Sequence, residues 1–157
     1  MNNITPKTAG RNKENFRISE FTASDPVYLE ALEIRSSCLR RPLGLALTES
    51  DIAADKDKRH MGAFFRGSLV GCASFKGPKN GSVMVSQMAV TQSYRENGFG
   101  RSLLNGIELE GRSAGAQDAC LHARCYAVNF YKSCGYRVCS SEFIEVGIPH
   151  VLMSKQL

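Results

Sequence analysis

The chain has 157 residues, 43% hydrophobic and 22% charged, with 20 Lys and Arg against 15 Asp and Glu for a formal charge of +5. That is enough chain to bury the core of one domain, and the composition is that of an ordinary globular protein rather than a disordered or fibrous one. No apolar run approaches a bilayer span, the opening stretch MNNITPKTAGRNKEN has no signal-like hydrophobic segment, and no like-charge block is interleaved with aromatics, so a cytoplasmic protein with neither membrane nor nucleic-acid partner is expected.

Residues 1–15 read as a flexible arm ahead of a single domain over 16–157. FRISEF (16–21) alternates apolar and polar residues and predicts a strand. Asp25-Pro26 predicts a helix start, with an acceptor at the N-cap and proline at N1. Val27, Tyr28, Ala31, Leu32, Cys38 and Leu39 give that helix an apolar stripe, and RRPLG (40–44) ends it. Thr48 and Asp51 have the spacing of a capping box for a second, short helix. HMGAFFRGSLVGCASF (60–75) predicts two strands about a turn at Arg66-Gly67-Ser68, and GPKNG turns the chain into a third strand, SVMVSQMAV (82–90). A helix follows with Leu103, Leu104, Ile107 and Ala114 on one stripe, stopped by Gly115. DACLHARC reads as a strand, AVNFYKSC as a short helix, and YRVCSSEFIEV with HVLMSKQL as a closing hairpin. The pattern is that of one α/β domain.

Six cysteines stand at 38, 72, 120, 125, 134 and 139, the last four as two C-x4-C pairs with His122 between them. Cys120 and Cys125 differ by an odd number and would face opposite sides of one strand. The spacing also differs from structural zinc sites, so buried thiols are expected and no metal.

SYRENGFGRSLL (93–104) sets an arginine and two glycines in front of a helix. Unpaired amides at a helix N-terminus, approached without a Cβ in the way, suit a phosphate; the same residues also suit a plain glycine turn. A Walker loop would need a lysine after Gly100, and the dinucleotide fingerprint a third glycine where Leu103 stands.

VSQMAV, the loop Arg95-Glu96-Asn97-Gly98-Phe99-Gly100 and the helix after it resemble motif A, R/Q-x-x-G-x-G/A, of the GNAT superfamily of acyl-CoA N-acyltransferases. LHARCYAVNFYKSCGY is similar to a second motif of that family, matched at Ala123, Arg124, Ala127, Phe130, Tyr131 and Gly135, with Tyr136 in place of phenylalanine. RSSCLRRPLG and GIPHVLM resemble stretches of small bacterial-type members, so that the likeness runs from Phe16 to the C-terminus. The resemblance implies a mixed, mostly antiparallel twisted sheet of about six to seven strands flanked by about four helices.

It further implies acetyl-CoA as acyl donor, with its pyrophosphate on the main chain of Asn97 to Arg101 beside Arg95 or Arg101, and with Glu96, Gly98, Phe99 and Gly100 completing the loop. The pantetheine arm would pair with Met88, Ala89 and Val90, and Asn129 matches a position that meets this cofactor in relatives; an N-cap role is its alternative. Tyr131 matches the tyrosine that serves as general acid to the thiolate, and a phenol protonated at neutral pH suits that task. Gln87 stands where some relatives keep a glutamate base, leaving His150 as the catalytic candidate, with Glu142, Glu145, His60 or a water chain as alternatives. Arg35, Gln87 and His60 are candidates for the acceptor side, Arg35 because it interrupts an apolar stripe, with Arg40 and Arg41 following it.

The reading is an N-acetyltransferase acting on a primary amine of a small molecule or peptide, in a family where homodimers are common. The competing reading is a module that binds CoA or acyl-CoA without catalysis, and a third is an RNA- or protein-interaction domain. Tyr131 favours the enzyme, and the intact RENGFG loop argues against the third.

Overall fold

Strand pairing in the computed structural model, which describes residues 15–157, gives a single sheet in the order β1-β2-β3-β4-β5-β8-β6, with β7 also paired to β8. The arm expected over residues 1–15 falls, but for Asn15, outside the described residues. The strands are β1 (Phe16–Phe21), β2 (Arg59–Phe65), β3 (Ser68–Lys79), β4 (Ser82–Val90), β5 (Asp118–Arg124), β6 (Arg137–Val138), β7 (Phe143–Glu145) and β8 (Ile148–Gln156). The α-helices are α1 (Val27–Arg35), α2 (Glu49–Ala54), α3 (Phe99–Ser113) and α4 (Val128–Ser133). The pairs β1–β2, β2–β3, β5–β8, β6–β8 and β7–β8 are antiparallel, and β4 and β5 run parallel. The sheet thus has eight strands rather than six to seven, because the expected first arm of the closing hairpin is divided into the short strands β6 and β7.

The described residues divide into two compact units, one built from residues 15–76 with Gln87–Ile107, the other from Gly77–Ser86 with Glu108–Leu157. In the first, β2 and β3 are joined across Arg66 (φ +51°) and Gly67 (φ +81°), and Phe65 faces Ser68 in the register. Two successive positive φ values give the turn a twist that matches the flanking strands. Phe21, Tyr28, Ala31, Ile34, Phe64, Leu69, Cys72 and Ala89 form a buried cluster under α1. The chain leaves α1 through a π-helical turn, Ser36–Arg40, and a single 3-10 turn, Arg41–Leu43.

Asp25 does not cap α1 as expected. Its carboxylate instead accepts from the Thr22 amide at 2.7 Å, fixing the turn ahead of the helix. The box on α2 forms as read: the Asp51 amide donates to Thr48 Oγ1 at 3.1 Å and the Thr48 amide to Asp51 Oδ2 at 2.8 Å. Leu103, Leu104 and Ile107 of α3 are fully buried, whereas Ala114 lies exposed past the helix end. A Cβ on Gly106 would stand 3.1 Å from Ile18, tighter than ordinary contact, so α3 lies close against β1 there.

In the second unit, β4 and β3 are linked through Asn80 (φ +52°) and Gly81 (φ +78°), narrower than the expected GPKNG turn. Ser82–Val85 pair with Asp118–Leu121, and β5 pairs with β8 along its whole length. Glu108 is buried and accepts from Tyr136 Oη at 3.0 Å and from Lys155 Nζ at 3.1 and 3.0 Å. Phe130 is exposed on α4, whereas Tyr131 beside it is buried. The six cysteines are free thiols, and among the described residues no three His, Cys, Asp or Glu side chains gather as a metal site. No helix among them is long and apolar enough to cross a membrane.

Candidate functional site

In the first unit the glycine loop is held from both ends. Inside β4, Gln87 stands at φ +53°, a left-handed backbone that costs a non-glycine residue about 1–3 kcal/mol. The pairing of β4 with β5 ends at Val85, and β4 goes on through Met88 and Ala89 to Val90. At that end the Val90 carbonyl accepts from Arg95 Nε at 2.9 Å and from the Cys38 thiol at 3.6 Å. Arg95 therefore turns back to tie the loop to the strand it leaves.

Asn97 works within the loop, its side-chain amide donating to the carbonyls of Tyr94 and Arg95 at 3.2 and 2.8 Å. Glu96 at φ +62° and Gly98 at φ +84° bend the backbone, and only at the latter does the sequence supply a residue with no Cβ to strain. The first helical bond of α3 runs from the Ser102 amide to the Gly98 carbonyl at 3.0 Å. The amides of Phe99 and Gly100 precede it and have no acceptor within the helix. Phe99 is 3% exposed, and its ring meets Phe16, Tyr94 and Phe65 at centroid distances of 5.0, 6.0 and 6.2 Å. This aromatic cluster anchors the start of α3, while Arg95, Glu96, Gly98 and Arg101 remain exposed.

The acceptor-side candidates of this unit fall in different surroundings. Gln87 is half-buried at its left-handed position. His60 is buried, with Nδ1 at 2.9 Å from Ser74 Oγ and Nε2 at 3.3 Å from the Asp55 carbonyl, and burial holds its imidazole below its ordinary range. Arg35 is buried too, against Asp55, whose Oδ2 also accepts from Tyr28 Oη at 2.6 Å. The guanidinium of Arg41 is occupied by Glu33 at 2.8 and 3.0 Å on the surface.

In the second unit Tyr131 is 9% exposed, its ring against Phe130 at 5.1 Å and Tyr136 at 6.1 Å. Burial pushes its phenol well above the ordinary value, so the hydroxyl keeps its proton throughout the neutral range. Asn129 is exposed on α4, and the N-cap of that helix is Ala127, so its alternative reading as a cap does not hold.

His150 is 3% exposed, with Nδ1 at 2.9 Å from the Ile148 carbonyl and Nε2 at 3.5 Å from Glu145 Oε2. The other oxygen of Glu145 lies 2.9 Å from His122 Nδ1, and Glu142 faces the Cys125 thiol at 3.6 Å. Sequence reading named Glu145 and His150 separately and gave His122 no role. The signal that joins them is strand register: His150 faces Arg124 across β5 and Phe143 across β7, so alternation puts residues 122, 124, 143, 145 and 150 on one face.

A family model described as an acetyltransferase (GNAT) domain matches residues 42–157. The uncharacterized N-acetyltransferase YjcF of Bacillus subtilis is 28% identical over 127 residues, 80% of this chain and 90% of that protein. The uncharacterized protein YyaT of Bacillus subtilis is 36% identical over 73 residues, 46% of this chain, so the match spans about half that relative's length, 49%. A GNAT family acetyltransferase of Elizabethkingia anophelis, solved with acetyl-CoA bound, has the same fold at a TM-score of 0.70 and 17% identity, over 92% of this chain and 99% of that one.

Proposed function

The chain belongs to the GNAT acetyltransferase family, and from that premise we propose that it moves an acetyl group from acetyl-CoA to a primary amine of a small molecule or peptide. The observation that carries the reading is the Arg95–Gly100 loop: a helix start with amides that lack helical acceptors, clamped by Phe99 on one side and by the Arg95–Val90 bond on the other. A helix N-terminus of this kind suits a pyrophosphate. With Arg95 turned to Val90 and Asn97 bonded within the loop, the main chain supplies the contacts and the side chains keep its shape. The residues therefore fit the cofactor, with Met88, Ala89 and Val90 as the strand that would take its pantetheine arm.

Acetyl-CoA, when bound, supplies an acetyl group activated as a thioester. The chain's own residues then manage protons. Tyr131, whose phenol keeps its proton, would serve as the acid for the departing thiolate, and His150 would serve as the base for the amine.

The test is a thermal-shift titration with acetyl-CoA, using dephospho-CoA and ATP as comparators, on the wild type and Gly98→Glu. Ligand at about 100 times Kd adds roughly 2.7 kcal/mol, a rise on the order of 5–10 °C for a domain of this size. A rise that the variant loses supports the cradle. No rise at millimolar acetyl-CoA overturns it, and a rise without turnover on any amine would leave a CoA-binding module.

A further inference from the structure

We propose that Glu145 and His150 together receive the ammonium group of the acceptor, that His150 takes its proton, and that His122 fixes Glu145 in place; the proposal rests on the acetyltransferase reading above.

A carbonyl oxygen only accepts, so the 2.9 Å contact with Ile148 puts a proton on His150 Nδ1. Neutral His150 then has its lone pair on Nε2, and that atom faces Glu145 Oε2 at 3.5 Å. With His150 neutral, these are two acceptors 3.5 Å apart, and they are matched to a donor that carries several protons. A primary ammonium is such a donor, and it can bond to the imidazole and the carboxylate at once.

The same reasoning orients His122. A carboxylate accepts only, so His122 Nδ1 carries a proton and donates it to Glu145 Oε1 at 2.9 Å. Phe143 packs between the two imidazoles, 5.0 Å from His122 and 6.0 Å from His150, and is nearly parallel to the latter at 23°. Both ends of the Glu145 carboxylate are thereby placed, although the residue itself is on a strand of three. The other charged group on this face is Arg124, opposite His150 in the register, while Glu142, ahead of β7, is turned to Cys125. His60 offers no equivalent, with both ring nitrogens engaged in the core of the other unit.

In the step, the N–H bond of the ammonium breaks and its electron pair stays on nitrogen as the nucleophile. The proton lands on His150 Nε2, and the imidazolium so formed sits beside the Glu145 carboxylate, which offsets its charge. Glu145 and His150 touch the acceptor, whereas His122 acts through Glu145 as a positioning residue.

The experiment measures thiol release from acetyl-CoA with 1,4-diaminobutane, glucosamine and trialanine as probe amines, across the neutral and mildly alkaline range. It uses the full chain as wild type, Glu145→Gln, Glu145→Asp, His150→Asn and His122→Gln. Each protein is first checked for its acetyl-CoA thermal shift, which separates a folding failure from a chemical one. His150→Asn keeps a donor for Ile148 and removes the base; it is expected to lose about 10²-fold in kcat/KM. Glu145→Gln is expected to lose a similar factor in kcat/KM with a raised KM for the amine, since the ammonium loses its carboxylate acceptor. Glu145→Asp should recover part of the rate, and His122→Gln should lose about tenfold, again with a raised KM for the amine. Glu145→Gln at wild-type kcat and KM overturns the proposal. Should Glu145→Gln lose its cofactor shift, Glu145→Asp and His122→Gln decide by the same criterion. A wild type that binds acetyl-CoA yet releases no thiol with any probe fails the acetyltransferase reading itself, and the proposal falls with it.

Discussion

Arg35 and Asp55 form an ion pair at 2.6 Å with both side chains out of water, 2% and 0% exposed. Arg35 Nε and Nη2 and Asp55 Oδ1 have no hydrogen-bond partner among the described residues, so the pair is tight at one edge and unsatisfied at the other. Its geometry makes Arg35 a core residue whose charge is already answered, which accounts for an arginine on an apolar stripe. Asp55→Ala strands a buried guanidinium and is expected to cost about 3–5 kcal/mol in urea denaturation. Replacing both partners, as Arg35→Met with Asp55→Leu, is expected to cost far less, because nothing charged is then left unpaired. A single variant no worse than the double would remove the ion pair from this account.

Tyr131→Phe deletes the hydroxyl and keeps the ring that packs on Phe130 and Tyr136. Turnover is expected to fall about 10²-fold or more, with the acetyl-CoA thermal shift unchanged. Full-rate turnover in this variant would end the acid role.

His60 lies below its ordinary value chiefly because it is buried, so the unfolded chain takes up its proton first as the medium is acidified. Its contribution to stability is present above its ordinary pKa of 6.5 and is lost as pH falls below it. Denaturation midpoints of wild type and His60→Gln, compared at neutral and mildly acidic pH, should converge on the acid side. A gap that widens on acidification would contradict this sign.

Tyr28, hydrogen-bonded to Asp55, is pushed up to about 12 from 10.0, first by burial and then by the neighbouring carboxylate. A raised phenol contributes stability that is intact below its ordinary value and is lost as pH climbs through about 12. The wild type should therefore lose more stability over that alkaline interval than Tyr28→Phe does, as read by denaturant titration at matched salt.

Glu108 is buried between Tyr136 and Lys155. Glu108→Ala leaves an ammonium and a phenol without their acceptor and is expected to cost about 3–5 kcal/mol, while Glu108→Gln keeps an acceptor oxygen and is expected to cost less. Equal losses in the two variants would mean that packing volume, and not the bonds, decides.

What the sequence determined by itself were the features governed by neighbours along the chain. The Thr48–Asp51 box, the positive-φ turns and the order of strands and helices depend on contacts a few residues apart, and they appear where local chemistry puts them. The R-x-x-G-x-G spacing belongs to the same class, since a loop that opens a helix is defined by its own backbone. The tertiary structure decided which partner each polar side chain finds. Arg35 found Asp55 twenty residues on, and Glu108 found Tyr136 and Lys155 across still longer stretches of chain. His122, Glu145 and His150 could be joined only once the β5–β8 and β7–β8 registers were fixed, because a slip of one residue would send their side chains to opposite faces. Periodicity says that a side chain is buried or exposed, but the identity of its partner depends on how distant strands are aligned, and that alignment is a property of the folded sheet.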